Sequence, residues 1–324
     1  MGLGVLAEES LILDFWDVGQ GDCSVARLPD GSLVIIDVGP KGSPVIDWLS
    51  EKPQKIRAVL ITHNDRDHAG ALPSLVKLPG QQIETIYMLI DRNKNSKAFQ
   101  DIFRPVREEE LKGKYQVLGL SSDRIIWESD NKDIQIKVVY PSFTEGVEAN
   151  RPNESSAIVC LCQNGKERVI WPGDAPFEII ADKCSGSQPF VLHGPHHGAP
   201  VDRHKKDFQK WVGSVEPERV FVSVGTRNGD DHPFDKYLAT QSKRGCRVVC
   251  SQLTRHCDNE RIHKGTPILQ TAALLGLKPP RSGISCRGCW RVTLKKGQFL
   301  GDPFDGTHLE RIKKLRRPQC LKTV

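Results

Sequence analysis

Residues 60–70, Leu-Ile-Thr-His-Asn-Asp-Arg-Asp-His-Ala-Gly, constrain this chain more than any other stretch. Val59, Leu60 and Ile61 end a buried strand, and His63, Asp65, Asp67 and His68 then fall within six positions. A tight loop after a strand aims such side chains at one point beyond the strand end. Carboxylates and imidazoles gathered there repel or stay unpaired unless a cation lies between them. Imidazole nitrogen and carboxylate oxygen are also the ligands of catalytic divalent metals. A random His–Asp pair more often belongs to a solvated charged loop. Four ligand-type residues packed directly after an apolar strand reverse that preference.

The rest of the chain supplies partners. Predicted strands cover 11–18, 24–28, 33–37, 58–61, 85–90, 124–127, 134–140, 155–162, 168–171, 190–192, 219–224 and 247–250. Predicted helices cover 43–51, 71–77, 97–112, 177–182, 204–212 and 234–242, the first with Ser43 as cap and Pro44 in its first turn. Asn164-Gly165 is a strong hairpin turn signal. Hairpins followed by strand–helix alternation fit a layered α/β architecture, with sheets inside and helices outside. Four predicted strand ends carry metal-ligand types: the His63–His68 cluster, Asp174 in Pro-Gly-Asp, the pair His196-His197, and His232 after Gly229-Asp230-Asp231. Alone, Asp174 reads as a turn residue and the histidine pair as structural. Together they make a two-metal site the simpler account, because strand ends hold side chains rigidly while loops leave room for substrate.

At 324 residues, with 38% hydrophobic and 27% charged, the chain fits one large globular domain or two modest ones. No apolar run of about 18 residues exists to span a membrane. The N-terminal stretch has no basic region before its short apolar segment, so a cytoplasmic location is expected. The 10 cysteines then read as free thiols or metal ligands rather than a disulfide framework. Cys286-Arg-Gly-Cys289 has zinc-knuckle spacing, and Cys250 with Cys257 forms a second, wider pair. These four are the candidate ligands of an additional structural Zn²⁺, with His256 and His263 as nearby substitutes; unpaired structural thiols are the plain alternative. A net charge of +6 permits a polyanionic partner without demanding one. The excess collects in the C-terminal tail at Arg311, Lys313, Lys314, Arg316, Arg317 and Lys322. The expected division is a hydrolase domain over 1–277 and a glycine-, proline- and base-rich C-terminal appendage over 278–324.

These motifs resemble the metallo-β-lactamase fold superfamily. Asp37-Val38-Gly39 is similar to its first motif, and His63-Asn64-Asp65-Arg66-Asp67-His68 to its His-x-His-x-Asp-His motif with Asp65 in place of the second histidine. That replacement resembles the branch of the soluble hydrolase domain of the DNA-uptake protein ComEC. Val18-Gly19-Gln20-Gly21-Asp22, Asn153-Glu154-Ser155-Ser156, Pro-Gly-Asp174, Gly-Pro-His196-His197-Gly198 and His232-Pro233 agree with that branch. The resemblance covers roughly residues 11–252. It implies a four-layer αββα sandwich and a site for two divalent ions, zinc or manganese. His63, Asp65, Asp67, His68, Asp174 and His197 would be the ligands, with Asp174 bridging. A water between the ions would be acidified toward neutrality. Asp67 would double as the base orienting that water, His196 would stand behind the ligands or protonate a leaving group, and His232 would contact substrate. The family's further histidine between the second motif and the bridging aspartate is absent, since no histidine occurs between His68 and Asp174. The site is therefore oxygen-rich, which shifts preference toward Mn²⁺ or Mg²⁺.

The favoured function is a metal-dependent phosphodiesterase or nuclease, with nucleic acid as substrate and the tail, Arg203, Lys205 and Lys206 as phosphate contacts. The alternatives are a small-molecule hydrolase on the same fold (lactonase, amidase or cyclic-nucleotide phosphodiesterase) and a non-catalytic metal-binding partner protein. Freestanding relatives also occur in bacterial defence-type complexes, so a protein partner of that kind is a further expectation. No membrane partner is expected.

Overall fold

The computed structural model describes residues 10–89, 97–122, 124–148, 152–201 and 208–321. Six early strands, β1 (Ser10–Phe15), β2 (Cys23–Arg27), β3 (Leu33–Val38), β4 (Lys55–Leu60), β5 (Gln82–Met88) and β6 (Gln116–Gly119), lie side by side in chain order. A second sheet follows from β7 (Ile125–Glu128), β8 (Ile134–Tyr140), β9 (Ile158–Gln163), β10 (Lys166–Trp171), β11 (Val191–His193), β12 (Arg219–Val222) and β13 (Arg247–Cys250), again in chain order. The chain then returns to the first sheet as a hairpin, β14 (Trp290–Lys295) and β15 (Gln298–Gly301), which extends it beyond β1.

Each sheet changes sense once. In the first, β1 to β3 are antiparallel, and β3 to β6 run parallel. In the second, β7 to β10 are antiparallel, and β10 to β13 run parallel. Asn164 (φ 50°) and Gly165 (φ 76°) make the left-handed turn of the β9–β10 hairpin, as their pairing predicts.

The layers follow from strands that are apolar on both faces. Successive side chains of a strand point to opposite sides. Leu33 and Ile35 of β3 therefore enter one apolar cluster while Val34 and Ile36 enter another. In β9, Ile158, Cys160 and Cys162 face outward and Val159 and Leu161 inward. The shared interior between the sheets holds Phe15, Leu60, Trp171, Phe221 and Trp290. Outside the first sheet, helices Pro44–Ser50, Leu72–Leu75 and Lys97–Leu111 contribute Trp48, Leu49, Leu72 and Ile102. Outside the second, Phe177–Cys184, Asp235–Lys243 and Asp305–Ile312 contribute Ile180, Tyr237, Leu238 and Ile312. This is the expected four-layer αββα sandwich. No helix among the described residues is long and apolar enough to cross a membrane.

Three local expectations change. The helix expected at 71–77 is a single turn, Leu72–Leu75, preceded by another at Arg66–Ala69. Ser43 stands at the start of helix Pro44–Ser50, but its hydroxyl makes no capping bond. The helix expected at 204–212 is described only as Phe208–Val212, and Arg203, Lys205 and Lys206 lie outside the described residues.

The boundary expected at residue 278 falls inside this architecture. β14 pairs with β1 along its whole length, from Ser10↔Lys295 to Phe15↔Trp290. Its Trp290, Val292 and Leu294 are buried between the sheets, and Arg291 holds the buried Asp14 of β1 through Nε at 2.6 Å and Nη2 at 2.9 Å. Trp-Arg-Val-Thr-Leu-Lys is itself a half-buried strand pattern, set between turn-rich stretches that obscure it.

Candidate metal centre

The parallel halves of the two sheets end at the same side of the sandwich, where fixed backbone gives way to loops. β3 delivers Asp37, and β4 delivers Thr62 and His63. The turn Arg66–Ala69 carries Asp67 and His68, with Asp65 at its N-terminal cap position. From the second sheet, β10 leads into Asp174, β11 into the turn Pro195–Gly198 with His196 and His197, and β12 into Ser223.

Two glycines allow this convergence. Gly21 (φ 135°) lies where a Cβ would come 2.3 Å from the Asp67 carbonyl oxygen. Gly173 (φ 51°) lies where one would come 2.5 Å from Ser156 Oγ and 2.6 Å from Thr62 Oγ1. Each chain segment can thus press against the loop that holds the ligands.

Buried hydrogen bonds orient the imidazoles. Asp37 accepts from the Thr62 amide at 2.8 Å and from Thr62 Oγ1 at 2.7 Å, and its Oδ2 lies 2.8 Å from His68 Nδ1. A carboxylate on Nδ1 takes that N–H and leaves Nε2 to face the centre, the arrangement that raises ligand basicity. His197 Nδ1 donates to the Ser223 carbonyl at 3.0 Å, again turning Nε2 inward. Ser156 Oγ accepts from the Asp174 amide at 3.0 Å.

Asp174 stands between two groups. Its Oδ1 lies 3.2 Å from His68 Nε2 and 3.8 Å from His197 Nε2, and the latter nitrogen is 3.1 Å from Asp67 Oδ2. Its Oδ2 lies 3.5 Å from His63 Nε2 and 3.7 Å from His196 Nε2, with Asp65 Oδ2 3.6 Å from that His63 nitrogen. His63 Nε2, His68 Nε2 and Asp174 Oδ1 are buried without a well-directed hydrogen bond. Buried polar atoms left so are costly unless an ion satisfies them. His63, His68 and Asp174 bring ligand atoms within 4.8 Å of one another, and so do Asp22, His68 and His197. The donor set, imidazole with carboxylate, fits divalent metal.

The electrostatics agree. Burial alone would raise Asp174, yet His68, His63 and His197 hold it well below the usual carboxylate range. Burial would lower His68, but Asp174, Asp37 and Asp22 push it well up, and Asp174 and Asp22 do the same for His197. Asp67 is lowered against its burial by the hydrogen bond from His197. His196 goes the other way, lowered by burial.

His63, Asp67, His68, Asp174 and His197 thus meet at the strand ends. Asp65 reaches the group from its rim, its side chain 39% exposed. His196 and His232 stand edge to face with ring centroids 5.0 Å apart, and His232 lies 6.0 Å from His197. Asp22, His193 and Asp37 are buried parts of the arrangement that single-residue reasoning passes over. Asp22 Oδ2 is 3.1 Å from His193 Nδ1 and its Oδ1 3.3 Å from His197 Nδ1. The signal for Asp22 was its place after two glycines, where a turn carboxylate and a buried one look alike.

The cysteine expectation needs correction at Cys289. Cys250, Cys257 and Cys286 belong to the outer layer of the second sheet. Cys289 lies across the fold, in the outer layer of the first, where its sulfur accepts the Asp17 amide at 3.4 Å. The x-x spacing sends the two thiols to different layers because the chain passes, within these few residues, from the loop where the Cys286 amide donates to the Ser251 carbonyl to the start of β14 at Trp290. None of the four belongs to a metal-ligand group with atoms within 4.8 Å, among the described residues.

A search of curated proteins finds no match. Among solved structures, the chain is similar to Igni18, a metallo hydrolase from the hyperthermophilic archaeon Ignicoccus hospitalis, at 16% identity and TM-score 0.46, over 74% of this chain and 94% of that one. It is also similar to a long form RNase Z from yeast at 7% identity and TM-score 0.39, over 72% of this chain and 40% of that one. The family model of the metallo-beta-lactamase superfamily matches residues 16–203. That match takes in more than half of the chain, from the end of β1 through the strand ends bearing Asp37, His63, His68, Asp174 and His197, and the chain belongs to the metallo-beta-lactamase superfamily.

Proposed function

We propose that this metallo-hydrolase cleaves phosphodiesters, with nucleic acid as its substrate, and that it belongs to the ComEC-like branch. The observation that carries the hydrolytic reading is the double-faced Asp174, with one oxygen toward His68 and His197 and the other toward His63 and His196. Two divalent ions there, zinc or manganese, would supply Lewis acidity and a water acidified toward neutrality. His63, Asp65 and Asp174 would hold one ion, and Asp67, His68, His197 and Asp174 the other. Asp67, 33% exposed at its side chain, is placed to orient the attacking water. His196 takes the place of the family's absent histidine, because its Nε2 faces Asp174 Oδ2 and burial keeps the ring neutral. His232, with Nδ1 3.5 Å from Gln20 Nε2 and its ring beside His196 and His197, would meet the substrate or its leaving oxygen.

The nucleic-acid reading rests on a cleft of about 530 Å³ that Arg255, His256, Arg316 and Arg317 line together with Asp235 and Asp258. Arg255 Nη2 lies 2.7 Å from Asp231 Oδ1, and Asp231 directly precedes His232, which links the cleft wall to the loop that carries His232. Guanidinium groups beside a hydrolytic site suit a phosphate backbone. The test is a panel of labelled DNA, RNA and a small chromogenic phosphodiester, each with Mn²⁺, Zn²⁺ or Mg²⁺. Metal-dependent cleavage of a nucleic acid supports the reading. Cleavage of small esters alone moves the chain to the small-molecule alternative.

A further inference from the structure

We propose that Cys250, Cys257, Cys286 and Cys320 form a second metal site, a structural one for a single thiophilic divalent ion such as Zn²⁺, and that Cys289 takes no part. Four separate segments bring these thiols together: the end of β13, helix Arg255–His263, the loop before β14, and the turn Gln319–Leu321. All four enter one apolar cluster, Cys257 from its partly buried edge. Backbone bonds tie the segments in pairs. The Arg287 amide donates to the Cys250 carbonyl at 3.1 Å, and the Cys286 amide to the Ser251 carbonyl at 2.9 Å. Gln319 Nε2 donates to the His256 carbonyl at 2.8 Å, which sets Cys320 beside Cys257.

The thiols are close enough to feel one another's charge: Cys250 that of Cys320, Cys286 and Cys257, Cys286 that of Cys320 and Cys257, and Cys320 that of Cys257. Cys289 has neighbours of another kind, Asp17 and Asp14. A second observation points the same way. His308, buried, has Nε2 3.5 Å from Cys286 Sγ and leaves Nδ1 without a hydrogen-bond partner. A neutral imidazole donating to a ligand sulfur is the kind of outer support metal thiolates carry.

No three of these sulfurs lie within 4.8 Å of one another. Binding would close the sulfurs on an ion about 2.3 Å from each. Burial raises all four thiols, so ion binding must release their protons and is stronger at higher pH. A saturated tetrahedral ion leaves no position for water, so the site would be structural. It would pin the turn that follows Arg316 and Arg317 and so fix one wall of the basic cleft.

The probe is Co²⁺ added to the full-length reduced protein. The expected result is a thiolate-to-cobalt charge-transfer band with the intense visible bands of a tetrahedral site, which the His/Asp centre cannot give. Asp174→Ala and Cys289→Ser should keep that band, and Cys286→Ser and Cys320→Ser should lose or strongly weaken it. Cys320→His should keep a tetrahedral spectrum of reduced sulfur character, even where a serine variant folds poorly. The proposal is overturned if the unmutated chain shows no thiolate band. It is equally overturned if Cys289→Ser loses the band while Cys320→Ser keeps it, or if mass mapping finds these thiols joined as disulfides.

Discussion

The strand-end His/Asp centre and the cysteine cluster are built on opposite plans. The first gathers charged groups at the rim of the sandwich, with Asp65 and Asp67 partly exposed and Asp174 buried behind them. The second gathers neutral thiols inside an apolar layer. A hydrolytic ion needs an open position for water and substrate, whereas a structural ion needs closure on every side. The difference separates reaction from stability, and substitutions should separate them in the same way.

The largest expected effect is at Asp174. Asp174→Ala removes the carboxylate shared by both groups, and hydrolysis should fall to background while elemental analysis shows the centre depleted of metal. Retained metal and activity would dissolve the distinction between the two plans. Asp37→Ala comes next. It leaves every ligand in place but frees His68 Nδ1, and loss of such an orienting partner costs about 10–100-fold in metal affinity or activity. Gly21→Ala should cost on the order of 1–3 kcal/mol by thermal unfolding, and more in activity, because its Cβ would displace the Asp67 backbone. The cluster should answer in reverse: Cys320→Ser should lower the melting temperature while leaving turnover of a small phosphodiester nearly unchanged.

The smallest effect is at the cleft. Replacing Arg316 and Arg317 by alanine should raise the apparent KM on nucleic acid and flatten the salt slope by about 0.9 for each duplex phosphate no longer neutralised. Turnover of a small phosphodiester should not change. The pH dependence has a definite sign. Neighbouring carboxylates hold His68 and His197 protonated well above the usual 6.5, so ion uptake must displace those protons and affinity must fall as pH falls. Metal titrations at two pH values read this directly.

The candidate residues His63, Asp67, His68, Asp174 and His197 stood out in the sequence because each follows an apolar strand run, and such runs also reveal the layers. Asp37 and Asp22 were harder. Asp37 acts through a hydrogen bond with His68 and Asp22 through ion-pair contacts with His193 and His197, at separations that periodicity does not report. β14 and β15 were hidden by the turn-rich segments around them, although Trp290, Val292 and Leu294 alternate cleanly. Cys289 shows the limit of spacing: two thiols three positions apart fall in different layers where the chain crosses toward a strand that starts at Trp290. Cys320 stood too far from the other cysteines for any motif to include it.

The central claim, phosphodiester hydrolysis at the strand-end centre, is tested most directly by measuring cleavage of labelled DNA and RNA by the metal-loaded chain beside its Asp174→Ala variant. Cleavage of at least one of them is expected, abolished by a chelator, restored by Mn²⁺ or Zn²⁺, and absent in the variant. Cleavage that survives both the chelator and Asp174→Ala would contradict it.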